Sequence, residues 1–286
     1  MSSHPIFAGL SREIFDAHNP APYADGARRG VSEELIREMS ADKKEPTWML
    51  EHRLACLKIF QSLPLPTWGA DLSKLDLSDI IYYAKAGVTE TNSWAEIPED
   101  IRRVYDRLGI PEAERKVLAG VGAQYESEII YHNLKEEWQK LGVIFLDMDD
   151  AVREHPDLVQ QYFMKCVPPK DHLFAALHGA VWSGGTFLYV PRNVTISDPL
   201  QAYFRMNAKN MGQFEHTLII VEEGADVHYI EGCSAPKYGS QALHAGLVEI
   251  FVKEGAHCRY SSVENWSRDT YNLNTKRAIV EKEDRK

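Results

Sequence analysis

Three stretches of this chain repeat one pattern without gaps, and the repeat limits the folds open to it. Thr186–Ile196 aligns with Thr217–Val227, and that segment aligns with Val248–Cys258. The offset is 31 residues both times, 217 minus 186 and 248 minus 217. Each unit reads as strand, tight turn, strand. Asn193, Gly224 and Gly255 share one column. Asn and Gly tolerate positive φ, so the column is expected to be a left-handed turn. A unit this short cannot bury a face alone and has to stack on its neighbours. A parallel, right-handed β-helix is the expected outcome. A β-sandwich is the alternative, but it needs no constant period.

The rest of the chain sets the frame as α+β. Ser32 is a good helix N-cap, with Glu33 and Glu34 behind it. Leu50, Leu54 and Leu57 give an apolar stripe, which predicts a helix over Thr47–Gln61, stopped by Pro64 and Pro66. Further helices are expected over 98–108, with Gly109 as its stop, over 127–141, and over 157–164. From about Phe174 strand formers dominate. The expected division is a flexible segment 1–30, a mainly helical region 31–170, a partial β-helix 171–280 and a charged tail 281–286.

Charge and hydropathy narrow the function classes. The formal net charge is −10, which argues against nucleic acid as a partner. No run approaches the ~18 apolar residues of a membrane span. Met1–Leu10 lacks the basic and apolar regions of a secretory signal, so a cytoplasmic protein that contacts no membrane is expected. No P-loop is present, so the chain itself is not expected to hydrolyse ATP.

The four cysteines, Cys56, Cys166, Cys233 and Cys258, form no C-x-x-C pair and no zinc-finger spacing. Cys258 falls in the column of Ile196 and Val227, a core slot. Cys56 lies beside Leu54 and Leu57, and Cys166 lies before Pro168; packing accounts for both. Cys233 sits instead at a break marked by Gly232 and Pro236. One period further lies Glu264, expected one rung away at about 4.8 Å. A thiol and a carboxylate so placed either share a metal or a proton, or are two unrelated loop residues. Arg205 and Asn207 have the spacing of one strand face, which is usually a solvated one. Trp266 is more often core. Asp226, Glu231 and Arg205 would be the groups of a polysaccharide-cleaving β-helix, but no carboxylate pair occupies a repeat column.

Several longer strings carry a resemblance. Gly122-Ala-Gln-Tyr-Glu-Ser-Glu-Ile-Ile-Tyr-His-Asn133, Ala180-Val-Trp-Ser-Gly-Gly185, Leu200-Gln-Ala-Tyr-Phe-Arg-Met-Asn207, Asn210-Met-Gly-Gln-Phe-Glu215, His228-Tyr-Ile-Glu-Gly-Cys-Ser-Ala-Pro236 and Glu264-Asn-Trp266 resemble the SufB proteins of the SufB/SufD family. Pro46-Thr-Trp-Met-Leu50 and Pro66-Thr-Trp-Gly-Ala70 fit as well. The resemblance runs from about Gly30 to Ala278 and favours SufB over SufD. It implies a scaffold, not an enzyme, that supports a transient iron–sulfur cluster. The implied partners are SufD, the ATPase SufC, and a cysteine desulfurase with its sulfur carrier. Reduced flavin is an implied cofactor of the full complex. The resemblance makes Cys233 the sulfur acceptor. It lines the β-helix interior with Arg205, Asn207, Trp266 and Lys276, and makes Cys233 and Glu264 cofactor-binding candidates. Glu264 stands where the family usually has Gln, and a carboxylate there is expected to raise the thiol pKa. The family's later cluster ligands and its SufC-docking helices lie beyond this chain's last residue. A partner-binding module unable to build a cluster is therefore the alternative implied role.

Overall fold

Ser32 opens the first helix as its residue type predicts. The structure, a computed structural model, describes residues 16, 19–85, 87, 91, 93–107, 118–239 and 241–281. The Ser32 hydroxyl accepts from Leu35 N–H, and α1 runs over Glu33–Asp42. Helix α2 (Thr47–Ser62) ends before Pro64. Helix α3 spans Glu99–Arg107; its expected end at Leu108 and Gly109 lies outside the described residues.

The helix expected over 127–141 does not form. In its place β1 (Gly120–Tyr125) and β2 (Glu128–Leu134) make an antiparallel hairpin, and only α4 (Glu136–Lys140) is helical. Glu126 turns the chain at φ 57°, and Ile129, Ile130 and Tyr131 are strand formers. β3 (Ile144–Asp147), α5 (Met148–Glu154) and α6 (Pro156–Tyr162) follow. α7 (Leu173–Val181) is a buried helix where strand was expected. Its Ala- and Leu-rich sequence favours helix, and the parallel strands of the repeat begin only after Gly184.

Three strands then make each coil of a three-sided parallel solenoid. The first coil holds β4 (Gly185–Val190), β5 (Leu200–Arg205) and β6 (Gly212–Gln213). The second holds β7 (His216–Val221), β8 (Asp226–Ser234) and β9 (Ala242–His244). The third holds β10 (Leu247–Val252), β11 (His257–Asn265) and β12 (Thr270–Asn272), and β13 (Thr275–Val280) begins another. The 31-residue offset is the register of the stack: Thr186 faces Thr217, and Thr217 faces Val248. The turn column is left-handed as expected, with φ 59° at Asn193, 67° at Gly224 and 66° at Gly255. The period is not constant at every side. β5 meets β8 with Phe204 opposite Cys233, an offset of 29 (233 minus 204). β13 meets β10 with Lys276 opposite Val248, an offset of 28 (276 minus 248), so this strand starts at Thr275 rather than near Ala278.

The sheet of β4, β7 and β10 is buried on both faces. Ile219 and Val221 point into the solenoid, while Leu218, Ile220, Leu247 and Phe251 pack against α5, α6 and the segment after them. Strands covered on both sides read as continuous apolar runs, which is why Leu218–Val221 shows no alternation. Helices α1, α2 and α7 share a separate core with Phe214, Leu243 and Ala245 at the solenoid's third side.

Candidate functional site

Parallel strands in register place stacked residues on the same face. On the inner face of the β5–β8–β11 sheet this stacks Ala202, Glu231 and Ser262 in one column and Phe204, Cys233 and Glu264 in the next. The pairing of Glu264 with Cys233 is the one the repeat predicts. Cys258 pairs with Val227 and packs against the interior cluster, the core slot expected of it.

Cys233 is buried, at 1% exposure. Its thiol donates to Glu231 Oε1 at 3.9 Å. Glu231 is equally buried and also accepts from Tyr260 Oη at 2.7 Å, from Thr217 Oγ1 at 3.0 Å and from Lys276 Nζ at 3.4 Å. Burial, then the carboxylates of Glu231 and Glu215, push the Cys233 thiol well above its ordinary range. Burial also raises Glu231, with Lys276 pulling the other way.

Glu264 stands at the rim of the last coil, partly exposed. Lys276 Nζ donates to it at 2.8 Å, and Trp266 Nε1 donates to it at 3.1 Å. Burial opposes ionisation, but Lys276, Trp266 and Asn272 outweigh it and hold Glu264 down to about 2. Its charge is thus largely answered by Lys276, and it is a smaller influence on the thiol than Glu231 or Glu215. Burial disfavours the Lys276 ammonium, yet Glu231 and Glu264 raise it overall.

Two residues that the sequence reading did not single out complete the cluster. Glu215 lies at the corner between β6 and β7, and His244 ends β9. One ligand atom from each of Glu215, Cys233 and His244 falls within 4.8 Å of the others, and all three residues are buried. His244 Nε2 contacts Glu215 Oε1, and Nδ1 lies 2.8 Å from Asn272 Oδ1. Burial disfavours the imidazolium, but the Glu215 carboxylate and both hydrogen bonds raise the His244 pKa overall. The Trp266 ring covers His244, its centroid 4.1 Å away. The 31-residue offset puts His244 over Gln213 and Gly246 over Glu215, in separate columns, so the repeat carried no signal that joins the two.

The predicted site residues therefore divide. Cys233, Glu264, Trp266 and Lys276 converge on the interior near the last coil. Arg205 and Asn207 do not join them. Arg205 is the register partner of Ser234, on the face opposite Cys233, and its Nη1 donates to Ser234 Oγ at 2.8 Å. Asn207 lies past the end of β5, where its Oδ1 accepts from Asn19 N at 2.8 Å. Both are buried under the N-terminal region rather than solvated. Asp226 faces out and is partly exposed, so it does not pair with Glu231.

Comparison with known proteins agrees on one family. Residues 204–285 match the profile for the SUF system FeS cluster assembly SufBD core domain, and residues 109–202 match the SufBD protein N-terminal region. Iron-sulfur cluster assembly SufBD family proteins of Staphylococcus saprophyticus, Staphylococcus epidermidis and Staphylococcus aureus are each 54% identical over 254 residues, which is 89% of this chain and 55% of the relative. The chain thus spans about half the length of the curated relatives it matches. Among the described residues, no helix is long and apolar enough to cross a membrane.

Proposed function

Because the chain belongs to the SufBD family of iron–sulfur cluster assembly proteins, we propose that it is a scaffold on which such a cluster is built, with Cys233 as the residue that accepts sulfur. The cluster is cargo in this role, not a resident group. The observation that carries the reading is the placement of Cys233. It is an inward thiol, hydrogen-bonded to the buried carboxylate of Glu231, one coil below a rim that holds Glu264 and Lys276.

The chemistry is thiol–disulfide-type exchange. Glu231 takes the thiol proton. The thiolate then attacks the terminal sulfur of a donor persulfide, forming a new S–S bond at Cys233. The donor's S–S bond breaks and the donor leaves as a thiolate, so no outside electron acceptor is needed. Lys276, within 3.4 Å of Glu231, faces the negative charge as it moves from the carboxylate to sulfur. In this reading the donor is a cysteine desulfurase with its carrier, the setting is the cytoplasm, and SufD-like and SufC-like subunits are the partners.

Sulfur uptake tests this directly. The chain is incubated with a persulfide donor in the presence of a chelator, and the intact mass is read. Wild type should gain one sulfur atom, removable by thiol reductant, and Cys233→Ser should not. Equal uptake by a folded Cys233→Ser protein that keeps Cys56, Cys166 and Cys258 would sink the assignment.

A further inference from the structure

We propose that Glu215, Cys233 and His244 form a binding site for one divalent first-row transition metal, ferrous iron in the setting proposed above. The inference deepens the sulfur-acceptor reading by placing metal and sulfur at one residue.

Four observations carry it. First, the donor set is mixed: carboxylate, thiolate and imidazole, with the ligand atoms within 4.8 Å of one another. Such a set suits iron, cobalt or zinc and not magnesium or calcium. Second, Glu215 is 2% exposed and its Oε2 has no hydrogen-bond partner among the described residues. A buried carboxylate oxygen left without a donor is costly unless something satisfies it. Third, the backbone leaves the space. A Cβ at Gly246 would overlap the Glu215 carboxylate and stand 3.2 Å from His244 Nε2. Fourth, His244 is pre-oriented. The Asn272 amide donates its N–H to Glu264, which fixes its oxygen toward Nδ1 of His244. An acceptor held on Nδ1 in this way directs Nε2 to a metal.

Three protein ligands also leave a coordination position open for an incoming group.

The test uses cobalt(II) alone, added anaerobically to the full chain with no sulfur donor present. The expected result is saturation at about one equivalent, with a thiolate-to-cobalt charge-transfer band. Cys233→Ser should abolish the band. Glu215→Gln and His244→Asn should each weaken binding by at least about tenfold. Gly246→Ala should weaken it too while removing no ligand, and Cys166→Ser should leave it unchanged. Ferrous iron should displace cobalt, and magnesium should not. The site is refuted if the thiolate band survives Cys233→Ser, if Glu215→Gln and His244→Asn bind as wild type does, or if folded wild type binds no cobalt. Because sulfur uptake is read in chelator and metal binding without sulfur, either proposal can fail while the other stands.

Discussion

Burial holds Glu249 toward its protonated form, beside a pair of buried histidines. His178 Nδ1 donates to the Ala245 carbonyl at 2.9 Å, so its Nε2 accepts from His216 Nδ1 at 3.0 Å. His216 Nε2 lies 3.3 Å from Glu249 Oε2 and makes no hydrogen bond among the described residues. Glu249 points out of the solenoid and also accepts from the N–H groups of Met164, Cys166 and Val167. Burial raises it to about 7 against the pull of those three bonds. A folded value above the unfolded one means that folding favours the protonated acid. Its contribution is full below about pH 4.5 and is lost as pH rises through about 7, a change on the order of 3 kcal/mol at most. Urea unfolding at about pH 5 and about pH 8 should show a drop for wild type that Glu249→Gln largely removes. Equal drops in the two proteins would take Glu249 out of the account.

At the scale of elements, Arg53 is the tie between α2 and α7. It is fully buried, forks onto both carboxylate oxygens of Glu45, and donates through Nη1 to the carbonyls of Ala180 and Trp182 at the end of α7. Those carbonyls are orphans of the helix end and need donors. Arg53→Ala leaves Glu45 and both carbonyls buried without them, and should cost about 3–5 kcal/mol in denaturant unfolding. Arg53→Lys should recover only part, since one ammonium cannot copy the fork. A loss below about 1 kcal/mol for Arg53→Ala would show the tie to be dispensable. The hairpin of β1 and β2 teaches the converse lesson about elements. Its sequence has helix-compatible spacing after Ser127, but every residue of β1 finds a parallel partner on β5. That long-range ladder fixes β1, and β2, with its strand formers Ile129 to Tyr131, pairs onto it, so the helix-compatible spacing does not decide the segment.

For the whole molecule, protection should fall along the stack. β7 and β8 have strand neighbours on both sides and are mostly buried, whereas β11 and β13 pair on one side only among the described residues and are largely exposed. Solenoid coils contact only their neighbours, so stability is expected to be graded. Native-state hydrogen exchange should be slowest in β7 and β8 and fastest in β13. Uniform protection across the coils would mean that the chain opens only as one unit.

Sequence alone determined the stack. A ladder of hydrogen bonds copies its register from one coil to the next, so a gapless repeat reveals the strand pairing, the left-handed column at Asn193, Gly224 and Gly255, and the seat of Glu264 beside Cys233. The same logic placed Cys258 in the core, and the strings around Cys233 led to the family. Tertiary structure alone decided the corners. Their lengths differ from coil to coil, which shortens the last offset to 28 and turns Lys276 toward Glu231 and Glu264. It also decided faces: Arg205 lies across the sheet from Cys233 and Asn207 past the end of β5, both under the N-terminal region, although they look like partners of Cys233 in a string of residues. Glu215 and His244 meet Cys233 because a corner and the ends of two strands close on one point. That convergence depends on the path of the chain between them and not on any local spacing.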